Sequence, residues 1–277
     1  MQLLLNEEET TVMPFTQRCR SINPLLRYSL ALGLSCLLLC FVPAKTRAAV
    51  PVNPVAAAAE ADFFEAVTQL LQEHVTAGQV NYKALQQDKA QLQQLVQQIG
   101  SYNLKSLPVA KRKAFYLNAY NVLVLQQVVT HYPLLSVTDV PGFFDKQQFQ
   151  VAGEQLTLNQ LEKQKLLAVY QDARLHFALV CAARSCPPLL NRAYMPDRVE
   201  EQLEAQAKLA LQDPQFIKVQ PKGKKVLVSE LFKWYRQDFL LEAPSVSAYI
   251  NRYRSHPLPL GYSLGYYPYN WTLNDSR

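Results

Sequence analysis

The sequence has 277 residues and a formal net charge of +6, with 18% charged and 49% hydrophobic residues. A charged fraction this low, together with abundant aromatic residues, excludes intrinsic disorder for most of the chain. Few glycines and no fixed-period repeat exclude collagen, solenoids and propellers. The densest basic group, residues 222–225, is typical of a turn rather than of a basic stripe. We therefore expect no nucleic-acid partner.

The N-terminal region has the pattern of a secretory signal peptide. Basic residues up to Arg27 precede an apolar stretch from Tyr28 to Val42, and small residues follow around Ala48. This order predicts a signal peptide over residues 1–48, cleaved after Ala48. The apolar stretch is shorter than the roughly 20 residues of a spanning helix, so we expect only transient membrane contact and a periplasmic or secreted protein. An uncleaved membrane anchor is the alternative.

Hydrophobic spacing then predicts the elements in chain order. A linker over 49–59 leads into a single domain over 60–277. Apolar residues at helical spacing predict helices over 60–76, 92–100, 109–131, 158–169, 197–211, 229–239 and 246–253. Thr157 is a candidate cap for the fourth of these helices. Hairpins are predicted over 147–156 and 217–229, and a strand over 174–181. The tail from Pro257 onward is aromatic and rich in turns.

Helices outnumber strands and do not alternate with them. This order predicts an α+β fold, a mostly helical single domain packed on a small mixed or antiparallel sheet.

Two cysteines remain once the predicted signal peptide is removed. Cys181 and Cys186 lie five positions apart, and in an oxidising compartment such a pair suggests one disulfide. The spacing differs from the C-x-x-C of thioredoxins, and one close pair is weak evidence for zinc, which normally has four ligands. We expect no metal and no cofactor.

Two asparagines share one face of the third predicted helix. Asn118 and Asn121 are spaced so that they lie together with Leu125. Burying an unpaired amide costs about 1–3 kcal/mol, so both side chains need partners. They either bond a loop carbonyl or contribute to a binding site.

Glu162 falls on the apolar side of the fourth predicted helix, four residues from both Leu158 and Leu166. A carboxylate at such a position must be paired, solvated through a cleft, or shifted in pKa. It either forms an ion pair with Arg174 or Arg184, or belongs to a functional site.

His176 and the cysteines are the remaining candidates for chemistry. On a strand, His176 and Cys181 would point to opposite faces, so a direct dyad needs a bulge or turn. Cys186, in the loop beyond, has more freedom to meet His176 or Glu162. A thiol nucleophile needs its pKa lowered by an imidazole or a helix N-terminus.

Several motifs together resemble a known family. They are Asn118-Ala119-Tyr120-Asn121, His131-Tyr132-Pro133, Leu161-Glu162, the run from His176 to Leu189, the run from Phe232 to Phe239, and the run from Tyr269 to Asn274. In this order they are similar to the bacterial members of domain-of-unknown-function family 547 over about residues 60–274. One departure is Lys163, where the family often has a histidine after the helix glutamate.

The resemblance names no reaction. The helix–strand order and the Asn, Glu, His and Cys set look loosely similar to papain- and transglutaminase-like folds, in which the cysteine begins a helix. Here the comparable helix carries Asn118 and Asn121 and no cysteine. This difference implies either a rearranged site or a fold without the activity.

Two hypotheses about function follow. The first is an exported thiol-dependent hydrolase or acyl-transferase acting on peptide or cell-wall bonds. The second is a non-catalytic extracytoplasmic domain with a structural disulfide, which binds a small molecule, a peptide or a cell-envelope ligand. The candidate catalytic residues are His176, Cys181, Cys186 and Glu162, and the candidate ligand-binding residues are Asn118, Asn121, Arg184 and Ser185.

Overall fold

The computed structural model describes residues 54–276, with side chains from Phe63 onward. The predicted signal peptide over 1–48 and the first residues of the predicted linker lie outside the described residues. Within the described part of the chain, none of the helices is both long enough and apolar enough to cross a bilayer.

The N-terminal part is a layer of four helices. They are α1 (Pro54–His74), α2 (Tyr82–Gln87), α3 (Ala90–Ser101) and α4 (Val109–His131). Helix α1 begins six residues before the predicted start, so residues 54–59 are helical rather than linker. Two short antiparallel strands that the sequence did not predict, β1 (Val75–Thr76) and β2 (Gln79–Val80), follow α1. The turn between them needs a glycine at Gly78, because its φ is +79° and a Cβ there would lie 2.5 Å from Pro188.

Helix α4 is the centre of this layer. It begins after Pro108 and ends before Tyr132-Pro133, as the sequence predicted. From Lys113 to Val129 it is buried on nearly all sides, which is typical of a core helix rather than a surface helix.

A hairpin and an interrupted helix follow. Strands β3 (Gln148–Val151) and β4 (Glu154–Thr157) pair antiparallel. Both loop residues, Ala152 and Gly153, have positive φ, as in the tight turns that favour hairpins. The chain continues as α5 (Leu158–Gln160), a wider π-helical segment over Leu161–Leu167, and α6 (Ala168–Tyr170). The predicted cap at Thr157 is confirmed, since its hydroxyl accepts a hydrogen bond from the Gln160 amide at 3.1 Å.

The strand predicted over 174–181 is wrong. Residues Ala173–Phe177 form a 3₁₀ helix, and irregular backbone follows. Asp172 caps this helix by accepting a hydrogen bond from the Arg174 amide at 3.1 Å. Because the segment is not a strand, the alternation that would place His176 and Cys181 on opposite faces does not apply.

The C-terminal part contains the helices α7 (Val199–Gln212), α8 (Leu231–Trp234), α9 (Arg236–Glu242) and α10 (Val246–Arg252), together with the strands β5 (Ile217–Gln220), β6 (Lys225–Ser229) and β7 (Ser263–Tyr267). Strand β6 pairs antiparallel with β5 and parallel with β7, which makes this sheet mixed. The sequence predicted the hairpin β5–β6 but not β7. It also predicted one helix where α8 and α9 are separated at Tyr235.

The α+β class predicted from the sequence is confirmed: helices dominate, and the sheets of the described residues have two or three strands. The apolar side chains form two clusters, one around α4 and one between α7, the mixed sheet, α9 and α10. The 3₁₀ helix lies where they meet, because Leu175 belongs to the first cluster and Phe177 to the second. His176 is between these two residues, so the fold places it at the junction of the two cores.

Candidate functional site

The π-helical segment positions Glu162 toward the C-terminal part of the chain. Its Oε1 accepts a hydrogen bond from the Tyr235 hydroxyl at 2.7 Å. Glu162 is half-buried and lies in the first turn of the segment. Segments of π-helix are rare and occur frequently at functional sites. The expected ion pair of Glu162 with Arg174 or Arg184 is not the observed contact. Arg174 instead bonds Asp172 at 2.8 Å and Glu200.

Buried tyrosine hydroxyls surround the Glu162 carboxylate. Burial raises the pKa of Tyr120 well above its usual value, and the charge of Glu162 adds to this effect. The pKa of Tyr235 is raised by the same two causes, burial first and Glu162 second. Both hydroxyls therefore remain protonated at physiological pH and act as hydrogen-bond donors.

His176 and Asp238 form a second pair beside Tyr235. The His176 Nε2 lies 2.7 Å from Asp238 Oδ2. The His176 side chain is 2% exposed, whereas that of Asp238 is 37% exposed. The imidazole stacks on the Tyr235 ring at 4.1 Å between centroids and contacts Phe239 at 5.4 Å. Tyr235 thus links the two candidates, Glu162 through its hydroxyl and His176 through its ring.

An open cleft of about 330 Å³ borders this network. Two of its lining residues, Tyr235 and Asp238, are members of the network, and the remainder come from the segment that includes the π-helix and from α9. The lining residues are Lys163, Leu167, Ala168, Gln171, Asp172, Tyr235, Asp238 and Leu241.

The two cysteines form a disulfide, as the sequence suggested. The Tyr269 hydroxyl lies 3.1 Å from the Cys181 Sγ and 3.2 Å from the Cys186 Sγ. Between the cysteines, buried Ala182 has a φ of +61°, a conformation that residues other than glycine seldom adopt. Burial raises the pKa of Tyr269, and Tyr267 and Glu162 raise it further.

The two asparagines of α4 bond to the backbone of neighbouring segments. Asn118 donates to the Tyr194 carbonyl and accepts from the Tyr194 amide, at 2.8 and 2.9 Å. Asn121 donates to the Ala178 carbonyl and accepts from the Val180 amide, both at 3.0 Å. Each asparagine side chain therefore satisfies one carbonyl and one amide of irregular backbone, as a neighbouring strand would do in a sheet. A role for either in ligand binding stays a prediction.

Arg184 and Ser185 contact the C-terminal tail. The Ser185 hydroxyl accepts a hydrogen bond from the Asn270 amide at 2.8 Å. The Arg184 backbone amide donates to the Thr272 carbonyl at 2.8 Å, next to an isolated bridge between Ala183 and Leu273. These bonds fix the loop between the cysteines, and a ligand-binding role for the two residues also stays a prediction.

Sequence reasoning did not assign site roles to Tyr120, Tyr235 or Asp238, and it considered Tyr269 only as part of an aromatic tail that could cover one side of a binding site. All four lie in motifs that carry the family resemblance. Their membership in those motifs was the one available indication. Between residues 54 and 276, no group of three or more His, Cys, Asp or Glu side chains is arranged to hold a metal ion.

Taken together, fold and site define an α+β domain with a tyrosine-rich polar network beside an open cleft. Residues 104–209 match the family model described as "Protein of unknown function, DUF547", so this part of the chain is similar to that family. The matched region contains Glu162, His176 and both cysteines, whereas Tyr235, Asp238 and Tyr269 lie beyond it. Searches of curated proteins and of solved structures found no match.

Proposed function

We propose that the protein is an exported ligand-binding domain whose cleft accepts a small molecule, a peptide or a fragment of the cell envelope. One observation carries this proposal. The network that joins Glu162, Tyr235, His176 and Asp238 reaches the cleft through Tyr235 and Asp238. Convergent polar groups at the edge of a partly apolar pocket are typical of ligand sites.

The size and lining of the cleft support the same function. Its 330 Å³ lies within the range of about 300–1,000 Å³ that is common for small-ligand sites. Leu241 lines it and is 72% exposed, so a ligand would remove apolar surface from water. The lining also contains one cation, Lys163, and two carboxylates, Asp172 and Asp238, so it offers polar partners of both signs.

A thiol-dependent hydrolase or acyl-transferase is the second candidate. It needs a free thiolate, whereas the sulfurs of Cys181 and Cys186 are bonded to each other. The contact that favours this candidate is the Tyr269 hydroxyl, which lies beside both sulfurs. If the disulfide is reduced, this hydroxyl can donate a hydrogen bond to a thiolate.

Saturation-transfer NMR on the purified protein tests ligand binding. The probes are a panel of amino acids, dipeptides and muropeptides, the last chosen because the N-terminus predicts export. Leu241→Arg fills the cleft, and Leu260→Arg is the matched control, since Leu260 is 99% exposed and does not line the cleft. We expect a probe whose signal is lost in the first variant and kept in the second. Equal binding by both variants, or no binding by any probe, would overturn the proposal.

The same panel separates the two candidates. Each probe is incubated with oxidised and with reduced protein, and the products are analysed by mass spectrometry. A binding domain leaves every probe intact in both states. Cleavage by the reduced protein alone, abolished by replacing the nucleophilic cysteine in Cys181→Ser or in Cys186→Ser, would establish the thiol enzyme instead.

A further inference from the structure

We propose that Cys181 and Cys186 are a redox-active pair that exchanges with external disulfides, and that Cys186 is the sulfur that carries the thiolate. This inference concerns the loop between the cysteines and the tail, and it does not depend on the proposed ligand cleft. The two sulfurs have different hydrogen-bonding environments, and this asymmetry carries the inference.

Cys186 receives two hydrogen bonds. The Cys181 backbone amide donates to the Cys186 Sγ at 3.1 Å, and the Tyr269 hydroxyl donates to it at 3.2 Å. The Cys181 Sγ lies 3.1 Å from the same hydroxyl oxygen, and because a disulfide sulfur carries no hydrogen, Tyr269 is the donor to either sulfur while the bond is intact. In the reduced state, a Cys181 thiol can therefore donate to Tyr269 while Tyr269 donates to a Cys186 thiolate. Hydrogen bonds to a charged form favour that form.

The loop backbone keeps this geometry independently of the disulfide. The Ser185 amide donates to the Asn270 carbonyl at 3.2 Å, and the Cys186 amide donates to the Ala183 carbonyl at 3.0 Å. The bridge from Ala183 to Leu273 holds the same loop against the tail. None of these contacts involves the sulfur–sulfur bond, so we expect the loop backbone, with the amide that faces Cys186, to keep its position when the bond is reduced.

Charged groups lie near Tyr269 and in the loop between the cysteines. Glu162 lies close enough to raise the pKa of Tyr269, and Glu230 accepts a hydrogen bond from the Tyr269 amide at 3.0 Å. Arg184, an exposed cation, lies between the two cysteines. The difference between the two thiols comes from the extra amide donor on Cys186.

The exchange balances as two successive displacements. The Cys186 thiolate attacks one sulfur of an external disulfide, so a new S–S bond forms to Cys186 and the first external thiolate leaves. Cys181 then loses its proton to solvent and attacks the Cys186 sulfur. This closes the Cys181–Cys186 bond and releases the second external thiolate. Two electrons pass from the cysteine pair to the external disulfide, of which oxidised glutathione is a suitable example.

The test is the pH dependence of iodoacetamide alkylation in the reduced full chain. Mass spectrometry resolves each cysteine, so those of the N-terminal region do not interfere. In Cys181→Ser we expect the apparent pKa of Cys186 below the ordinary value of about 8.5. It should lie at least about one unit below that of Cys181 in Cys186→Ser. At pH 7, Cys186 should react about 3-fold faster, because lower intrinsic nucleophilicity offsets part of the tenfold gain in thiolate.

Tyr269→Phe should raise the apparent pKa of Cys186, whereas Tyr266→Phe, a substitution at an exposed tyrosine, should leave it unchanged. Partial alkylation of the reduced unmutated chain at pH 7 gives the same ranking without any substitution and should label Cys186 first. The assignment would be refuted if the apparent pKa of Cys186 is not below that of Cys181. It would also be refuted if Tyr269→Phe, in a folded variant, leaves the apparent pKa of Cys186 unchanged. Either outcome leaves the ligand-binding test unaffected, because that test reports on the cleft at Leu241.

Discussion

Asn121→Ala is expected to destabilise the protein strongly, because this side chain is the partner of two buried backbone groups. The Ala178 carbonyl and the Val180 amide, both in buried residues, bond its two ends at 3.0 Å. Each group left without a partner costs about 1–3 kcal/mol. The two together give a loss of roughly 2–6 kcal/mol, which is a large part of the about 5–15 kcal/mol that stabilises a typical domain.

Urea unfolding followed by tryptophan fluorescence measures this loss. The control is Asn103→Ala, since Asn103 is exposed and its side chain accepts one hydrogen bond, from the Lys105 amide at 3.0 Å. We expect the control to lose less than about 1 kcal/mol. A loss of under about 1 kcal/mol for Asn121→Ala as well would show that the irregular segment does not depend on this asparagine, and the explanation of its backbone would fail.

Three further substitutions test other contacts. Lys113→Met removes ion pairs with Asp172 at 3.4 Å and with Glu200 at 2.6 Å, and should cost about 1.5–3 kcal/mol at pH 7, because Arg174 still pairs with Asp172. Burial acts to raise the pKa of Asp172, but Arg174 and Lys113 outweigh it and the net pKa is lowered. Ionised Asp172 therefore stabilises the folded protein at pH values above its ordinary pKa of 3.8, and this contribution is lost as the pH falls through the lowered pKa. Urea midpoints should decline on acidification, less so in Lys113→Met, and an equal decline would contradict this linkage. Tyr235→Phe removes the donor to Glu162 and should cost about 1.5–3 kcal/mol, whereas an unchanged urea midpoint would show that the bond is unimportant. Thr157→Ala should lower stability by about 0.5–2 kcal/mol, and thermal unfolding with no shift would count against the cap.

Much of the helical framework could be predicted from the sequence, because its signals are local. Pro108 and the pair Tyr132-Pro133 restrict the backbone at the two ends of α4. The same local reasoning failed over 174–181. There an apolar run with the composition of a strand has its backbone satisfied by Asp172 and Asn121 rather than by a neighbouring strand. The spacing of apolar residues cannot show that a side chain from a distant helix will bond this backbone.

The site was predictable only in part, for a related reason. Glu162 attracted attention because a carboxylate on an apolar helix face needs a partner, but the partner is Tyr235, 73 residues away. His176 likewise bonds Asp238, 62 residues away. The π-helical segment that turns Glu162 toward Tyr235 follows the same apolar spacing as an α-helix, so periodicity cannot distinguish the two. These contacts arise where the two cores meet, which only the folded chain determines.

The most direct test of the ligand-binding proposal is a backbone-amide NMR titration of the protein with the strongest muropeptide or peptide probe. The proposal predicts saturable shifts in residues 163–172 and 235–241, the two segments that line the cleft. Residues 184–186 and 269–271, around the disulfide, should move little. Shifts confined to the disulfide region, or none at saturating probe, would contradict the proposal that the cleft beside Tyr235 and Asp238 is the binding site.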